Sequence, residues 1–314
     1  MSNTKDTSEN KETAILFLIA PTIMLIVGYF IYPPVPETGN IALTLILIPI
    51  FLGLILLGIG FLIKEVKVGS EIKILGWIIF AFYWATQPAT LYLGEDGDIF
   101  NAAVSIIGVY VLFYFAYHEW LSLKRNKKIS CLNWIAGASC IAGIIYFSIE
   151  RTALAPWMIE ETAKQSGWVL DLIIGNAEVY GTNIYLDGSY VVTIVFACTA
   201  IQAMVLFIGM IVALPNVDMR RRIYGLIITL VPIYILNLFR NAMVAFLVGR
   251  DITDFFMAHN VISKSGALIT LIILLLIVTK IIPGIFDEII CLTDLHKRNG
   301  PIEKSIKKYF GRKK

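Results

Sequence analysis

The chain has 314 residues, of which 58% are hydrophobic and only 16% are charged, and its mean hydropathy is +0.77. About a quarter of the residues of a soluble globular protein are charged, so this composition excludes a water-soluble enzyme and gives no basis for a nucleic-acid partner. The formal net charge of +3 is small, and the placement of the basic residues along the chain is more informative than their excess.

Eight apolar runs follow one another without a long polar segment between them. Each is close to the twenty or so residues that a helix needs to cross a bilayer, and they cover residues 14–32, 41–63, 74–94, 100–118, 132–149, 189–213, 223–247 and 265–283. We therefore predict an all-α fold, a polytopic transmembrane helical bundle of about eight spans, in a single membrane domain over residues 1–314. The first run lacks a small-residue cleavage site, so we expect it to be a helix of the bundle rather than a signal peptide.

The basic residues of the connections lie mostly on one side of the predicted bundle. That side has 20 of them, in the N-terminal segment, in every second connection and in the tail, residues 296–314, whereas the other side has four. Because cytoplasmic loops are enriched in Lys and Arg, both termini are predicted to be cytoplasmic. The loop 150–188 is then the only large extracellular piece. Its Trp157 and Trp168 predict amphipathic segments in the membrane interface, as a packed cap or as a lid over a substrate route.

One arginine lies within a predicted span. Arg240 is seven residues before the outer end of the seventh run, which is roughly 10 Å deep at the helical rise of about 1.5 Å per residue. A charge at that depth costs about 3 kcal/mol on insertion scales, so it normally faces a cavity or a partner and marks a functional site. Asn237 lies one helical turn earlier and is expected on the same face.

Two further polar residues are placed near Arg240 by the predicted topology. Cys198 lies eight residues inside the outer end of the sixth run, near Tyr190, so it is also expected roughly 10 Å below the outer surface. Gln202 follows one helical turn later and is expected on the same face as Cys198. His259 lies in the short connection before the eighth run, so Cys198, Arg240 and His259 converge in the outer half of the bilayer.

The other three cysteines, Cys131, Cys140 and Cys291, have neither metal-ligand spacing nor the pattern of a disulfide framework. We expect each to be a small packed hydrophobic residue. The sequence thus predicts no disulfide framework, no metal site and no cofactor.

A cysteine, a base and a cation in one place have a direct chemical interpretation. The thiolate is the nucleophile, His259 can take up the thiol proton and later protonate the leaving amine, and Arg240 can stabilise the oxyanion or orient the substrate backbone. Taken singly, the three residues are equally well a packed thiol, a surface histidine and an arginine bound to a lipid headgroup. Together they favour acyl transfer through a thioester.

Three short strings carry a resemblance to a known family. Residues 197–201 (ACTAI), 237–241 (NLFRN) and 258–262 (AHNVI), in this order in and beside late transmembrane segments, resemble the motifs of the exosortase/archaeosortase family. The motif-bearing part covers about residues 185–285, and the earlier runs match only in number and character. The resemblance implies a membrane-embedded cysteine transpeptidase, similar to sortase in chemistry but not in fold, in the cell membrane with its active site toward the extracellular leaflet.

The resemblance also implies substrates and roles. The substrates are surface proteins with a C-terminal signature (Pro-Gly-Phe in an archaeal member), a transmembrane helix and a basic cluster, and the acceptor of the new C-terminus is a membrane phospholipid. Cys198 matches the nucleophile, Arg240 the cationic stabiliser and His259 the third residue. Archaeal members can use arginine in the third role, which leaves Arg250 as another candidate.

The remaining candidates are three amides, and two other functions stay open. Gln202, Asn237 and Asn241 are expected to bind substrate or support the catalytic residues. The main alternative function is a small-solute or lipid transporter in which Arg240 holds an anionic substrate, although the repeated halves with broken helices that favour a transporter are not evident. A scaffold that binds a partner through its outer loop would leave Arg240 without a role.

Overall fold

A computed structural model of the protein describes residues 3–31, 40–93 and 99–310, with the side chains of residues 12–30, 47–93 and 99–308. Three kinds of element occur in these residues. The α-helices are α1 (Asn3–Ile31), α2 (Asn40–Leu62), α3 (Val66–Leu93), α4 (Ile99–Arg125), α5 (Ser130–Glu150), α6 (Leu154–Ile174), α7 (Ile201–Val212), α8 (Met219–Gly249), α9 (Lys264–Ile281), α10 (Pro283–Thr293) and α11 (Pro301–Phe310). The strands are β1 (Ala177–Tyr180), β2 (Asn183–Leu186) and β3 (Ser189–Thr193). Shorter turns are 3₁₀-helical at Phe196–Thr199 and Asp294–Arg298 and π-helical at Met257–Ser263.

The prediction of an all-α polytopic membrane protein is confirmed. Among the described residues, six helical segments are long and apolar enough to cross a membrane, in α1, α3, α4, α5, α8 and the π-helical turn with α9. Two shorter apolar helical segments, Leu47–Leu62 and Ile201–Val212, lie within the other two predicted spans. The number of eight spans and the cytoplasmic termini stay predictions.

The chain separates into two compact units. The first contains Met1–Cys140 and Glu288–Lys314, and the second contains Ile141–Asp287. The boundaries therefore fall within α5 and within α10. The single membrane domain expected for residues 1–314 stays a prediction.

In the first unit, α3 packs closely against α2. A Cβ atom at Gly53 would lie 2.8 Å from the backbone nitrogen of Phe80, so only glycine lets the two helices approach to this distance. Small residues at helix contacts are what close packing in membranes requires, because lipid provides no hydrophobic force between helices.

The first unit also buries an ion pair between α3 and α4. The Lys73 ammonium lies 2.6 Å from Glu119, and Ser70 donates a hydrogen bond of 3.0 Å to the same carboxylate. All three side chains are buried. Each charge has its opposite as a direct neighbour, which is how buried charges within membrane proteins are usually accommodated.

The tail docks on α4 through a second polar cluster of the first unit. Tyr117 donates a hydrogen bond of 3.0 Å to Glu303 of α11, and His118 lies 3.3 Å from the same carboxylate. The guanidinium of Arg298 donates to the His118 carbonyl at 2.7 Å. Burial alone would raise the pKa of Glu303, but hydrogen bonds from His118, from the backbone and from Tyr117 lower it to about 2. The carboxylate is therefore ionised at neutral pH. Of the basic tail predicted over 296–314, residues 311–314 lie outside the described chain.

The expectation that no cysteines pair was wrong. Cys131, at the start of α5, forms a disulfide with Cys291 of α10, with the two Cα atoms 5.8 Å apart and 160 residues between them in sequence. Sequence spacing cannot reveal such a pair, because only the packing of α10 against the start of α5 brings the two residues together. Cys140 and Cys198 are free thiols.

The second unit contains α6, a small antiparallel sheet and helices α7–α9. The sheet has the order β1-β2-β3, with Ala177 opposite Leu186 and Leu186 opposite Ser189. Helix α6 packs against α8 and against the 3₁₀ turn before α7. Helix α6 covers most of the predicted outer loop, burying Val169 and Leu170 and leaving Trp157 and Trp168 exposed. Its place in the membrane interface stays a prediction.

The sixth predicted span is wrong in its first half. Residues 189–213 do not form one helix: they form β3, an extended connection, the 3₁₀ turn Phe196–Thr199 and then the twelve-residue helix α7. Ala200 joins the turn to α7 in a left-handed conformation, with φ of 62°. Because Cys198 belongs to the 3₁₀ turn and Gln202 to α7, the two are not successive positions of a single helix.

Candidate active site

Cys198 lies on a turn that helix α8 holds in place. The side chains of Asn237 and Asn241, one helical turn apart on α8, both donate hydrogen bonds to the Cys198 carbonyl, at 2.7 Å and 3.0 Å. Both amides and the cysteine are buried. Two hydrogen bonds to the same carbonyl hold the backbone of the turn against α8. The position of Cys198 relative to Asn237 and Asn241 is therefore fixed.

The turn with Cys198 ends where a helix begins. Helix α7 starts at Ile201, and its N-cap residue, Ala200, provides no side-chain hydrogen bond to the first turn. The first backbone N–H groups of a helix have no intrahelical acceptor, and together with the helix dipole they favour negative charge nearby. Cys198 lies three residues before the first residue of that helix.

Arg240 lies on the same helix as the two asparagines and is partly buried. Its Nη1 donates to the side-chain oxygen of Asn237 at 3.3 Å, and its Nε donates to the hydroxyl of Ser263. Asn237 thus donates to the Cys198 carbonyl with its nitrogen and accepts from Arg240 with its oxygen. Cysteine, amide and arginine form one connected polar cluster.

Among the described residues, the hydrogen-bond partners of Arg240 are neutral, and no carboxylate forms an ion pair with it. The surroundings are apolar: Leu238, Ala242 and Ala245 of α8 pack in one buried cluster with Cys198. A cation in such surroundings attracts any negative charge that develops nearby, because little solvent screens it.

His259 lies on the π-helical turn that also contains Ser263. Its ring is partly buried and stacks on Phe255, with the ring centroids 5.1 Å apart and the planes at 8°. The preceding residue, Ala258, is buried in the same apolar cluster as Cys198. Single π-helical turns are rare and frequently occur at functional sites.

Two of the predicted supporting residues have other surroundings. Arg250 is at the C-terminal end of α8, roughly 15 Å along the helix from Arg240 at about 1.5 Å per residue, and forms an exposed ion pair of 2.8 Å with Asp187 in the β2–β3 turn. Gln202 is exposed and donates to the hydroxyl of Tyr146 at 3.1 Å. The expectation that Gln202 shares a helical face with Cys198 is therefore wrong.

Two serines of the cluster were not predicted from the sequence. Ser166 of α6 accepts a hydrogen bond of 3.3 Å from Asn241, and Ser263 accepts one from Arg240. Both are buried, at 0% and 1% exposure. The signal for Ser263 was its spacing of four residues from His259, which places the two on neighbouring turns of a helix. No comparable signal pointed to Ser166.

Comparison with known proteins adds a family to this geometry. The family model described as transmembrane exosortase matches residues 76–279, almost two thirds of the chain. The chain belongs to the exosortase family. Archaeosortase A of Haloferax volcanii is a similar protein, 23% identical over 265 residues, with 72% of this chain and 85% of the relative covered. No solved structure matches the chain.

Family membership agrees with the resemblance inferred from the three motifs. The matched residues include Cys198, Arg240 and His259. As a member of the exosortase family, the chain is a multi-pass membrane transpeptidase of the sortase-like kind.

Proposed function

We propose that this protein cleaves the C-terminal tripartite sorting signal of surface proteins through a thioester on Cys198 and transfers the new C-terminus to a membrane phospholipid. The observation that carries the proposal is the cluster in which Asn237 contacts both the Cys198 carbonyl and the Arg240 guanidinium. A thiol and a cation without a carboxylate partner among the described residues match the needs of acyl transfer.

In the first step, the Cys198 sulfur attacks the carbonyl carbon of the scissile peptide bond. The S–C bond forms, the carbonyl oxygen becomes an oxyanion, and Arg240 stabilises its negative charge. The C–N bond then breaks, and the leaving amine takes up a proton. The removed fragment carries the transmembrane helix and the basic cluster of the substrate.

In the second step, a hydroxyl or amine of the phospholipid attacks the thioester. The new acyl bond forms, the S–C bond breaks and the thiol is restored. We assign the proton transfers of both steps to His259, because a histidine is suited to give and take a proton near neutral pH. Its π-helical turn is joined to Arg240 through Ser263.

Arg250 is the weaker choice for the third residue. Its guanidinium is already paired with Asp187 and is exposed to solvent. An exposed ion pair of this kind contributes only about 0–1 kcal/mol and holds a side chain at the surface. We propose that Asn237 and Asn241 support the nucleophile through its carbonyl, and that Gln202 has no part in the reaction.

The test is co-expression of the protein with a surface protein that ends in the Pro-Gly-Phe signature, a transmembrane helix and a basic cluster. Cys198→Ala is expected to abolish processing, so the substrate keeps its full length on a gel. The matched control is Cys140→Ala, which removes the other free thiol of the chain and is expected to leave processing intact. Normal substrate maturation with Cys198→Ala would sink the proposal.

The lipid acceptor is tested separately. Mass spectrometry of the matured substrate is expected to give a C-terminal peptide with the mass of an added phospholipid. A free carboxylate at that terminus would mean that water, rather than a lipid, resolves the thioester. With that result, the proposed cleavage would stand and the proposed transfer to a lipid would be rejected.

A further inference from the structure

Three metal-ligating side chains of the first unit meet, and none of them belongs to the candidate active site. The sulfur atoms of Cys131 and Cys291 and a carboxylate oxygen of Glu288 all lie within 4.8 Å of one another. Cys131 is the second residue of α5, and Glu288 and Cys291 are one turn apart on α10. Residues three apart on a helix present their side chains on the same face.

In the oxidised form the two sulfurs are joined in a neutral cystine, and the Glu288 carboxylate lies beside it. Two thiolates and a carboxylate are instead a donor set that zinc accepts. We propose that, in its reduced form, this cluster binds one Zn²⁺ ion through Cys131, Glu288 and Cys291.

The backbone geometry fits such a site. Zinc binds sulfur at about 2.3 Å and carboxylate oxygen at about 2.0–2.2 Å, so ligand atoms around one tetrahedral ion are roughly 3.5–3.8 Å apart. The Cα atoms of Cys131 and Cys291 are 5.8 Å apart, and rotation of the two side chains is enough to separate the sulfurs to that distance. Three protein ligands leave the fourth position for water.

The surroundings favour thiolate and allow a metal to reach the site. Cys131 is in the first turn of α5, where the helix dipole stabilises negative charge, and Lys127 and Lys128 come just before that helix. Cys131 itself is fully buried, whereas Glu288 and Cys291 are partly exposed. A cation therefore approaches from the α10 side and meets the carboxylate and one sulfur first.

Reduction of the disulfide precedes binding. A dithiol reductant gives two electrons and two protons, which convert the cystine into two thiols while the reductant becomes a disulfide. Zinc then displaces both protons from the thiols. The loop charges predict that this end of the bundle faces the cytoplasm, where thiols are kept reduced.

The proposed zinc site is independent of the transpeptidase. Glu288 and Cys291 come after residue 279, where the family match ends, so α10 contributes ligands from outside the matched region. The bound ion would tie α10 to the start of α5 in place of the disulfide.

The test uses full-length protein in detergent, reduced with a phosphine, freed of reductant and titrated with zinc against a chromogenic chelator. One equivalent of zinc per chain is expected, and Co²⁺ in its place is expected to give a thiolate-to-cobalt charge-transfer band. Cys131→Ser and Cys291→Ser are expected to lose both signals. Glu288→Gln keeps both thiols and is expected to bind at least about tenfold more weakly.

Two variants serve as matched controls. Cys140→Ser removes a thiol elsewhere in the first unit, and Asp287→Asn removes the exposed acid next to Glu288; both are expected to bind like the unmodified protein. The proposal is overturned if the reduced protein takes up no zinc, if zinc binding survives Cys131→Ser, or if Glu288→Gln and Asp287→Asn bind equally well. Because Glu288→Gln leaves the disulfide possible, it stays informative even where a cysteine variant fails to fold.

Discussion

A buried pair in the first unit and a partly buried arginine in the second unit hold charge in opposite ways. In the first unit, the Lys73 ammonium contacts the Glu119 carboxylate at 2.6 Å. In the second unit, Arg240 has only the neutral partners Asn237 and Ser263 among the described residues. Lys73 and Glu119 neutralise each other, whereas Arg240 has no counter-ion among the described residues.

This difference separates structural charge from functional charge. A neutralised buried pair holds helices in register and offers nothing to a ligand. An arginine that neutral acceptors hold in place retains its attraction for a negative charge that arrives later. The oxyanion of acyl transfer is such a charge, and it exists only while the reaction proceeds.

The largest effect on stability is expected from Lys73→Met. This change leaves Glu119 buried without its cation, which costs about 3–5 kcal/mol of unfolding free energy. Thermal unfolding in detergent measures the loss. The double variant Lys73→Met/Glu119→Leu removes both charges and is expected to recover most of it. If the single and double variants melt together, the pair has no structural role.

The matching change in the second unit is Arg240→Gln, which removes charge while keeping a polar side chain. The rate of substrate cleavage is expected to fall about 10²–10³-fold, the usual loss when an oxyanion donor is removed. The unfolding temperature is expected to stay near that of the unmodified protein, since no buried partner is left charged. A large drop in melting temperature with normal cleavage would reverse the comparison between the units.

The next largest effect is expected at the third catalytic residue, for which His259 and Arg250 are the candidates. His259→Ala is expected to slow cleavage about 10²-fold, at the low end for loss of a general acid–base. Arg250→Ala removes an exposed ion pair and is expected to leave the rate within about twofold. The pH dependence of the rate adds a second readout, since loss of His259 removes one limb of the profile. Full activity of His259→Ala together with an inactive Arg250→Ala would transfer the role to the arginine.

The smallest effect is expected from Ser263→Ala. Ser263 is a positioning residue, since it acts on the substrate only through Arg240. Loss of one hydrogen bond to a charged group costs about 1.5 kcal/mol, or roughly tenfold in rate. The loss is expected in the rate of the chemical step with little change in KM, and Ser263→Thr, which keeps the hydroxyl, is expected to restore part of it. An equal loss in the alanine and threonine variants would mean that Ser263 only packs.

The geometry around Arg240 was largely predictable from sequence. A helix interior has a fixed period, so the three-residue spacing of Asn237 and Arg240 was enough to place them on one face, and the structure confirms their contact. The charge in an apolar run marked the position before any partner was known. Helical spacing and the cost of a charge in an apolar run can both be recognised in a single sequence.

The conformation around Cys198 was not predictable in the same way. The hydrophobicity of residues 189–213 indicated a span, but the chain turns at Ala200, an alanine with positive φ that no turn signature announces. The adjacent hairpin did have a signal, the Asp187-Gly188 pair between apolar residues. The signal was not used, because the apolar character of residues 189–213 as a whole indicated a membrane span.

The contacts between residues far apart in sequence could not be predicted. The disulfide of Cys131 and Cys291 joins residues 160 apart, and Ser166 meets Asn241 across 75 positions. Such pairs arise from the packing of whole helices, and neither spacing nor composition records it.

The short length of α7 has a consequence for how a peptide reaches the thiol. Twelve residues extend only about 18 Å at a helical rise of about 1.5 Å per residue, whereas the hydrocarbon layer is about 30 Å thick. Along the chain, strand β3 and the turn that carries Cys198 precede this helix. A backbone amide without hydrogen-bond partners in hydrocarbon costs several kcal/mol, so a nucleophile placed before a short helix, rather than in the middle of a long one, requires less of that desolvation from the substrate.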